Sequence, residues 1–208
     1  MDVRIVTDST ADVPADRLAQ WRITVVPAYV EIEGRSYADG VGFSRERFYA
    51  ELPTMKRVPT TAAPSIEEFV GAYRSLAGQA KDLVVLTVSS TFSSIYNVAR
   101  LAARKVTAPR VHVVDTEQVT MGHGWLVIAA AEAAAAGASV SEVLGLIEAM
   151  KPRVRVRAVL STLEYVRRGG RVGWARARAA ELLRIKPIVE VVAGKVLEQG
   201  RTRTMQGA

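Results

Sequence analysis

The stretch from Leu83 to Val88 constrains the fold of this chain more than any other part of the sequence. Five of its six residues are Leu or Val, without the alternation of polar and apolar positions expected for a strand that faces solvent on one side. Continuous apolar runs of this length are typical of central strands in parallel sheets, which helices cover on both faces. We therefore predict an α/β fold built on a parallel sheet.

Strands and helices alternate on both sides of this run. Further strands are predicted at Arg4–Asp8, Ile23–Val26 and Val111–Val114. Helices are predicted from Asp12, as the N-cap, to Gln20, and then over 44–52, 65–76, 95–105, 122–136 and 139–150. The remaining segments are predicted as a hairpin over 29–37 and a proline-rich loop over 53–64. This order favours right-handed βαβ units.

Charge divides the chain into two unequal parts. The formal net charge is +7, yet residues 151–208 carry 14 Lys and Arg against 4 Asp and Glu, a balance of +10. We predict an N-terminal α/β/α domain over 1–152 and the start of a basic C-terminal α/β domain over 153–208. An acidic or phosphorylated partner and a solvated arginine-rich face both fit this segment, and the two interpretations stay open.

Several classes of protein are disfavoured by what the sequence lacks. It has no cysteine and therefore no disulfide framework or thiolate site. The phosphate-loop, dinucleotide and GxSxG motifs are absent, so neither a nucleotide cofactor nor a serine hydrolase is expected. Metal-ligand spacings and nucleic-acid-binding motifs are also missing. The apolar stretch Trp125–Ala136 is too short to span a bilayer, and the first strand begins directly, so we expect a cytoplasmic protein.

Hydroxyl side chains are concentrated in three segments predicted to lie near one edge of the sheet. They are Thr7–Thr10, Thr60–Thr61 and Ser89–Ser94, and the last carries five hydroxyls in six residues. Ligands of open α/β sheets bind at the carboxyl ends of strands, where helix N-termini favour anions. Neutral hydroxyls suit a singly charged carboxylate better than a phosphate. Ordinary turn and cap chemistry uses the same residues and stays an alternative.

Histidine and arginine supply the remaining candidates for a site. We expect His112 to be structural, whereas His123, just after a strand, is a candidate to face a site. Around Gly169-Gly170, the arginines Arg167, Arg168 and Arg171 are arranged either to grip a phosphate or to complement a helix C-terminus.

Taken in order, these segments resemble the DegV family of fatty-acid-binding proteins, which includes the FakB-like subunits of bacterial fatty acid kinase. The similarity extends over essentially the whole chain. The matching segments are Val6–Asp12, Thr61–Pro64 with Phe69, Ser89–Asn97, Val114–Thr116, Glu164–Val172 and Leu183–Ile188.

The resemblance implies two α/β domains and a buried long-chain fatty acid of the palmitate, stearate or oleate class. It implies that Thr61 and Ser93, assisted by Ser94, hold the carboxylate, and that the protein is not itself an enzyme. A fatty acid kinase subunit that binds ATP is the implied partner, docked on the basic segment around Arg171 and Arg201. The family extends beyond the last residue here, so the second domain is expected to be incomplete.

Two other functions remain as alternatives. The first is an enzyme that acts on a phosphorylated small molecule, with Asp8 and the hydroxyl segments as its site. The second is a nucleic-acid-binding module, which rests on the basic segment alone.

Overall fold

The described part of the chain contains three β-sheets. The computed structural model describes residues 2–173 and 186–204. Its strands, numbered along the chain, are β1 (Val3–Asp8), β2 (Thr24–Val26), β3 (Tyr29–Ile32), β4 (Arg35–Ala38), β5 (Thr60–Ala62), β6 (Asp82–Thr87), β7 (Arg110–Asp115), β8 (Val156–Val159), β9 (Lys186–Val192) and β10 (Lys195–Thr202). The central sheet is parallel in the order β2-β1-β6-β7, which confirms the predicted α/β class.

Helices cover both faces of the central sheet. The described helices of the protein are α1 (Ala15–Gln20), α2 (Arg45–Glu51), α3 (Ile66–Ser75), α4 (Ile95–Ala103), α5 (Thr120–Ala135), α6 (Val140–Met150) and α7 (Glu164–Gly169). One core cluster joins the sheet to α5 and α6, and a second joins it to α3 and α4. The result is the three-layer α/β/α arrangement predicted for the N-terminal part.

Strand β6 shows why the apolar run of the sequence is continuous. Val84 and Leu86 pack into the cluster with α5 and α6, whereas Leu83 and Val85 pack into the cluster with α3 and α4. All four side chains are fully buried. Successive strand residues point to opposite faces, so a strand covered on both sides needs apolar residues at every position. Burial of each such side chain contributes about 1.5–3 kcal/mol.

Three of the predicted helix starts are confirmed by their capping bonds. The side chains of Ser65 and Ser139 each accept a hydrogen bond from the backbone N–H three residues on. The carboxylates of Glu68 and Glu142 in turn accept from the backbone N–H of the N-cap serine. Ser44 accepts from the N–H of Arg47 at the start of α2.

Two local predictions were wrong. Asp12 does not cap α1; it adopts a left-handed conformation with φ 54°, and Pro14 takes the N-cap position without a side-chain bond. The predicted loop over 53–64 contains the short strand β5, which pairs with β3. Three residues are too few to show a periodic pattern, and this strand exists because β3 offers an unpaired edge.

The two antiparallel sheets flank the central one. The first has the order β4-β3-β5 and includes the predicted hairpin, whose turn residues Glu33 and Gly34 have φ values of 49° and 82°. The second has the order β10-β9-β8 and lies entirely after residue 153. The boundary at 152/153 stays a prediction. Leu183, the first residue of the last matching motif, lies outside the described residues.

Within the part of the chain that the structure describes, no helix is long and apolar enough to cross a membrane.

A buried carboxylate joins the starts of β6 and β7. Asp82 is 4% exposed and accepts hydrogen bonds from the guanidinium of Arg110 at 2.9 and 2.7 Å, and it lies 2.8 Å from Nε2 of His112. His112 therefore has the structural role predicted for it. The hydrogen bonds from Arg110 lower the pKa of Asp82 below its usual value.

Replacing Asp82 by asparagine is expected to lower the free energy of unfolding at pH 7 by about 1 kcal/mol, since charge-assisted hydrogen bonds are lost. A carboxylate whose pKa is lowered by folding stabilises the protein above its unfolded pKa of about 4 and stops doing so as the pH falls through the folded value. Urea unfolding from pH 7 to pH 3 should show the two proteins converging in acid. Asp2→Asn, which affects an exposed ion pair with Lys81, is the control; a constant gap across this range would contradict the argument.

Candidate functional site at the carboxyl edge of the central sheet

A pocket of about 470 Å³ opens at the carboxyl ends of the central strands. The segments that follow β1, β2, β6 and β7 all contribute to its wall, through Thr10, Ala28, Val88 and Val119 among others. This is the edge at which ligands of open parallel sheets bind. Its volume lies within the usual range for small-molecule sites, about 300–1,000 Å³.

A further part of the pocket wall is apolar and largely aromatic. Strand β3 supplies Val30 and Ile32, and helix α2 with its flanks supplies Phe43 and Phe48. The ring centroids of Phe43 and Tyr37, the latter on β4, are 5.3 Å apart. These side chains form a surface suited to a hydrocarbon rather than to a polar substrate.

Three predicted site residues, Thr61, Ser93 and Ser94, line this one pocket. Thr61 reaches it from β5, whereas the two serines reach it from the loop between β6 and α4. The Oγ of Ser93 accepts a hydrogen bond from the N–H of Ile95 at 3.2 Å, which leaves the hydroxyl proton of Ser93 available to donate. Among the described residues, the Thr61 hydroxyl has no hydrogen-bond partner, so it too is available to a ligand.

The start of α4 differs in detail from the prediction. Ser94 occupies the N-cap position, but its conformation is helical and its side chain makes no capping bond. The capping role falls to Ser93 instead, through its bond to Ile95. The positive end of the helix dipole therefore lies beside both serines and favours an anion there.

Arg171 is also part of the pocket wall. Gly170 ends α7 in a left-handed conformation with φ 72°, so the predicted helix C-cap is present. The chain then carries Arg171 to the pocket, where its guanidinium donates to the carbonyl oxygens of Gly169 at 2.6 Å and Phe92 at 3.4 Å. In the described parts of the chain no carboxylate pairs with it, so its charge is available to a ligand.

The second basic residue predicted for partner binding has a different position. Arg201 lies on β10 outside the pocket wall, and its guanidinium pairs with Glu198 at 2.5 Å.

Another part of the pocket wall is a charged network that we did not predict from the sequence. Arg45, at the start of α2, donates to Asp12 at 2.6 Å, to Asp39 at 2.9 Å and to the carbonyl of Ser9 at 3.1 Å. The hydrogen bond to Asp39 is the largest cause of a raised pKa for Arg45. With two carboxylates for one guanidinium, this end carries a formal charge of −1 and disfavours an anion.

The family model described as "Uncharacterised protein, DegV family" matches residues 2–208. The chain belongs to the DegV family. It is 39% identical over 208 residues to a DegV domain-containing protein of Deinococcus radiodurans, and the match covers all of this chain and 74% of that protein.

Solved structures of similar proteins share the fold closely. A protein from Thermus thermophilus, described as a fatty-acid-binding DegV family protein, is 34% identical with a TM-score of 0.92, and the match covers 100% of this chain and 74% of that one. A stearic acid-binding protein from Eubacterium ventriosum is 26% identical with a TM-score of 0.90 and coverage of 99% and 72%.

Asp8 has a structural place in this DegV chain. It is fully buried and is not part of the pocket wall. One carboxylate oxygen accepts from the N–H and the hydroxyl of Thr10, and the other accepts from the N–H of Val88 at 2.9 Å. These bonds connect the end of β1 to the segment after β6, which is a structural role for Asp8.

His123, the candidate to face a site, instead lies in the core of this DegV chain. It is fully buried on α5, with Nε2 3.1 Å from the carbonyl oxygen of Leu86 and 3.0 Å from the hydroxyl of Thr7. A carbonyl oxygen only accepts, so the hydrogen-bond network assigns the proton to Nε2. Burial lowers the pKa of His123, which keeps the ring neutral.

No group of three His, Asp or Glu side chains within residues 2–173 and 186–204 is placed to hold a metal ion. The aromatic wall and the Arg45 network were missed by sequence reasoning. Phe43, Phe48 and Tyr49 lie in and beside the short helix α2, and this aromatic cluster was the one local signal of an apolar wall.

Proposed function

We propose that this protein binds one long-chain fatty acid of the palmitate, stearate or oleate class in the pocket. The carboxylate is held by Thr61 and Ser93 with help from Ser94, and the tail lies along the aromatic wall. The observation that carries the proposal is that one pocket combines available hydroxyl protons with an apolar, largely aromatic wall.

The charges around the pocket favour one orientation of the ligand. Arg171 and the N-terminus of α4 attract the carboxylate toward Ser93, whereas the cluster of Asp12, Asp39 and Arg45 disfavours it. Each methylene group buried against the apolar wall contributes about 0.8 kcal/mol. The fatty acid binding described for the Thermus thermophilus protein and the stearic acid named for the Eubacterium ventriosum protein support the same ligand class.

In this proposal the protein is a carrier and not an enzyme. It presents the carboxylate to a separate ATP-dependent fatty acid kinase, or serves lipid transport, and the basic segment with Arg171 and Arg201 faces that partner. The balance of +10 over residues 151–208 supports a phosphorylated or acidic partner. This role is tested by mixing the loaded protein with such a kinase and ATP. If the mixture consumes no more ATP than the kinase alone, the protein does not present its fatty acid to that kinase. Within residues 2–173 and 186–204, we find no geometric feature that favours the enzyme or the nucleic-acid alternative.

Organic extraction of the purified protein is expected to release a fatty acid of the proposed class. Thr61→Val and Ser93→Ala should each raise the Kd for palmitate about tenfold, as expected for the loss of one hydrogen bond to a charged group. Titration calorimetry on delipidated protein measures the change.

Thr60→Val and Ser90→Ala are the matched controls, because each removes a neighbouring hydroxyl outside the pocket wall. The proposal fails if delipidated wild-type protein does not bind palmitate. The assignment of the hydroxyls fails if the Thr61 and Ser93 variants bind as tightly as these controls.

A further inference from the structure

The tip of the β9–β10 hairpin rests on the loop that carries Ser93. Gly194, at this tip, donates its N–H to the carbonyl of Glu117 at 2.9 Å, and its own carbonyl accepts from the hydroxyl of Thr91 at 2.6 Å. Thr91 and Gly194 are 103 residues apart. The β10-β9-β8 sheet is thus connected directly to the loop between β6 and α4.

The donors and acceptors among Ser89, Thr91 and Gly194 can be assigned because each hydroxyl group has one proton to donate. A carbonyl oxygen only accepts, so the single hydroxyl proton of Thr91 is used on Gly194. The contact of 2.9 Å between the hydroxyls of Ser89 and Thr91 is therefore a donation from Ser89 to Thr91. Ser89 is fully buried, and this chain of hydroxyls runs from the core of the loop to the hairpin.

Ser89 is also the residue that shapes the turn before Ser93. Its carbonyl oxygen accepts from the N–H of Phe92 at 3.0 Å and from the N–H of Ser93 at 3.2 Å. These bonds connect the backbone of Ser89 to that of Ser93, so the position of Ser89 helps to set the position of Ser93. Hydroxyl donors bind a carboxylate well only when they are held in the required geometry.

The hairpin tip fits this loop without spare room. Gly194 is buried and has φ 69°, and a Cβ there would come within 3.0 Å of the Ser89 hydroxyl and 3.3 Å of Thr91. The contact thus needs a glycine on the hairpin and a hydroxyl on the loop.

We propose that Thr91 is a positioning residue for the carboxylate site: its bond to the β9–β10 hairpin holds the 89–94 loop so that Ser93 faces the ligand. This inference rests on the proposed function. In this inference the β10-β9-β8 sheet contributes to carboxylate binding indirectly, since Thr91 and Gly194 are not in the pocket wall.

The test compares palmitate with hexadecanol, which has the same chain length but no carboxylate. The ratio of the two Kd values reports the carboxylate site alone. Thr91→Val should lower the preference for palmitate about fivefold to tenfold, the change expected from the net strength of one hydrogen bond. Thr91→Ser, which keeps the hydroxyl, should restore the wild-type preference.

Gly194→Ala disturbs the same contact from the hairpin side and should also lower the preference for palmitate over hexadecanol. Gly137→Ala is its matched control, since Gly137 also has a positive φ, 89°, but has no neighbour within 4 Å of the added Cβ. Hydrogen exchange in the 89–94 segment should be faster in Thr91→Val than in Thr91→Ser.

The outcomes separate this inference from the function on which it rests. If wild-type protein binds no palmitate, the proposed function is wrong and this role of Thr91 falls with it. If wild-type protein prefers palmitate and Thr91→Val keeps that preference, or weakens both ligands equally, the proposed function stands and Thr91 is not a positioning residue.

Discussion

Replacing Gly124 by alanine is expected to lower the free energy of unfolding by about 3 kcal/mol, the upper end of the cost of overpacking. Gly124 lies inside α5, and a Cβ at this position would come within 2.4 Å of the carbonyl oxygen of Ala11. That atom belongs to the backbone, so no side-chain rotation relieves the clash. The helix must move away from the short turn Ser9–Ala11, which follows β1 and leads to the pocket. Urea unfolding followed by circular dichroism measures the loss.

Gly145→Ala is the matched control for this change. Gly145 also lies inside a helix, α6, but nothing lies within 4 Å of an added Cβ. Alanine is the better helix former, so this variant should gain about 0.5–1 kcal/mol. Equal effects of the two substitutions would show that α5 does not pack closely on the turn after β1.

Removing the carboxylate of Asp8 is expected to lower the free energy of unfolding by a similar amount. Asp8→Ala leaves the N–H groups of Thr10 and Val88 without their acceptor in the interior. A buried donor without a partner costs about 1–3 kcal/mol, so the variant should lose about 3 kcal/mol. Asp8→Asn, which keeps the shape and one acceptor oxygen, should lose less. The midpoints of urea unfolding give the order of stability.

Asp16→Ala serves as the control for Asp8, because the Asp16 side chain on α1 is 78% exposed. Its effect should stay within about 0.5 kcal/mol, as for most surface substitutions. Should Asp8→Ala prove as stable as Asp16→Ala, the three bonds to Asp8 do not hold the two strands together. Asp8 would then remain a candidate for the site of the enzyme alternative.

Local pattern was sufficient for most of the α/β framework. The continuous apolar run of β6 predicted a strand covered on both faces because strand residues alternate between faces and every position is buried. Ser65 and Ser139 marked helix starts because the capping box spans only four residues. Both signals lie within a few residues of the structure they specify.

The hydroxyl segments were recognisable for a related reason. In a parallel sheet the carboxyl ends of strands share one edge, so segments that follow different strands are brought together by the topology alone. Ser93 follows β6 and lines the pocket, as its position in the chain suggested, whereas Thr61 reaches the same pocket from β5, which pairs with β3 outside the parallel sheet. Their binding of a carboxylate stays a prediction.

Contacts between distant residues were decided only by the tertiary structure. Strand β5 depends on the open edge of β3, and Asp12 adopts its left-handed conformation beside Arg45, 33 residues away. No local pattern specifies such pairs, because the same residues serve equally well in a solvated loop.

The sequence by itself determined the parallel sheet, the layers that cover it and the edge at which hydroxyls collect. The tertiary structure decided what surrounds those hydroxyls: the aromatic wall, the place of Arg171 in the pocket and the bond from Thr91 to Gly194. The reason is physical. Secondary structure follows from the periodicity of neighbouring residues, whereas the walls of a site depend on packing between segments that are far apart in the chain.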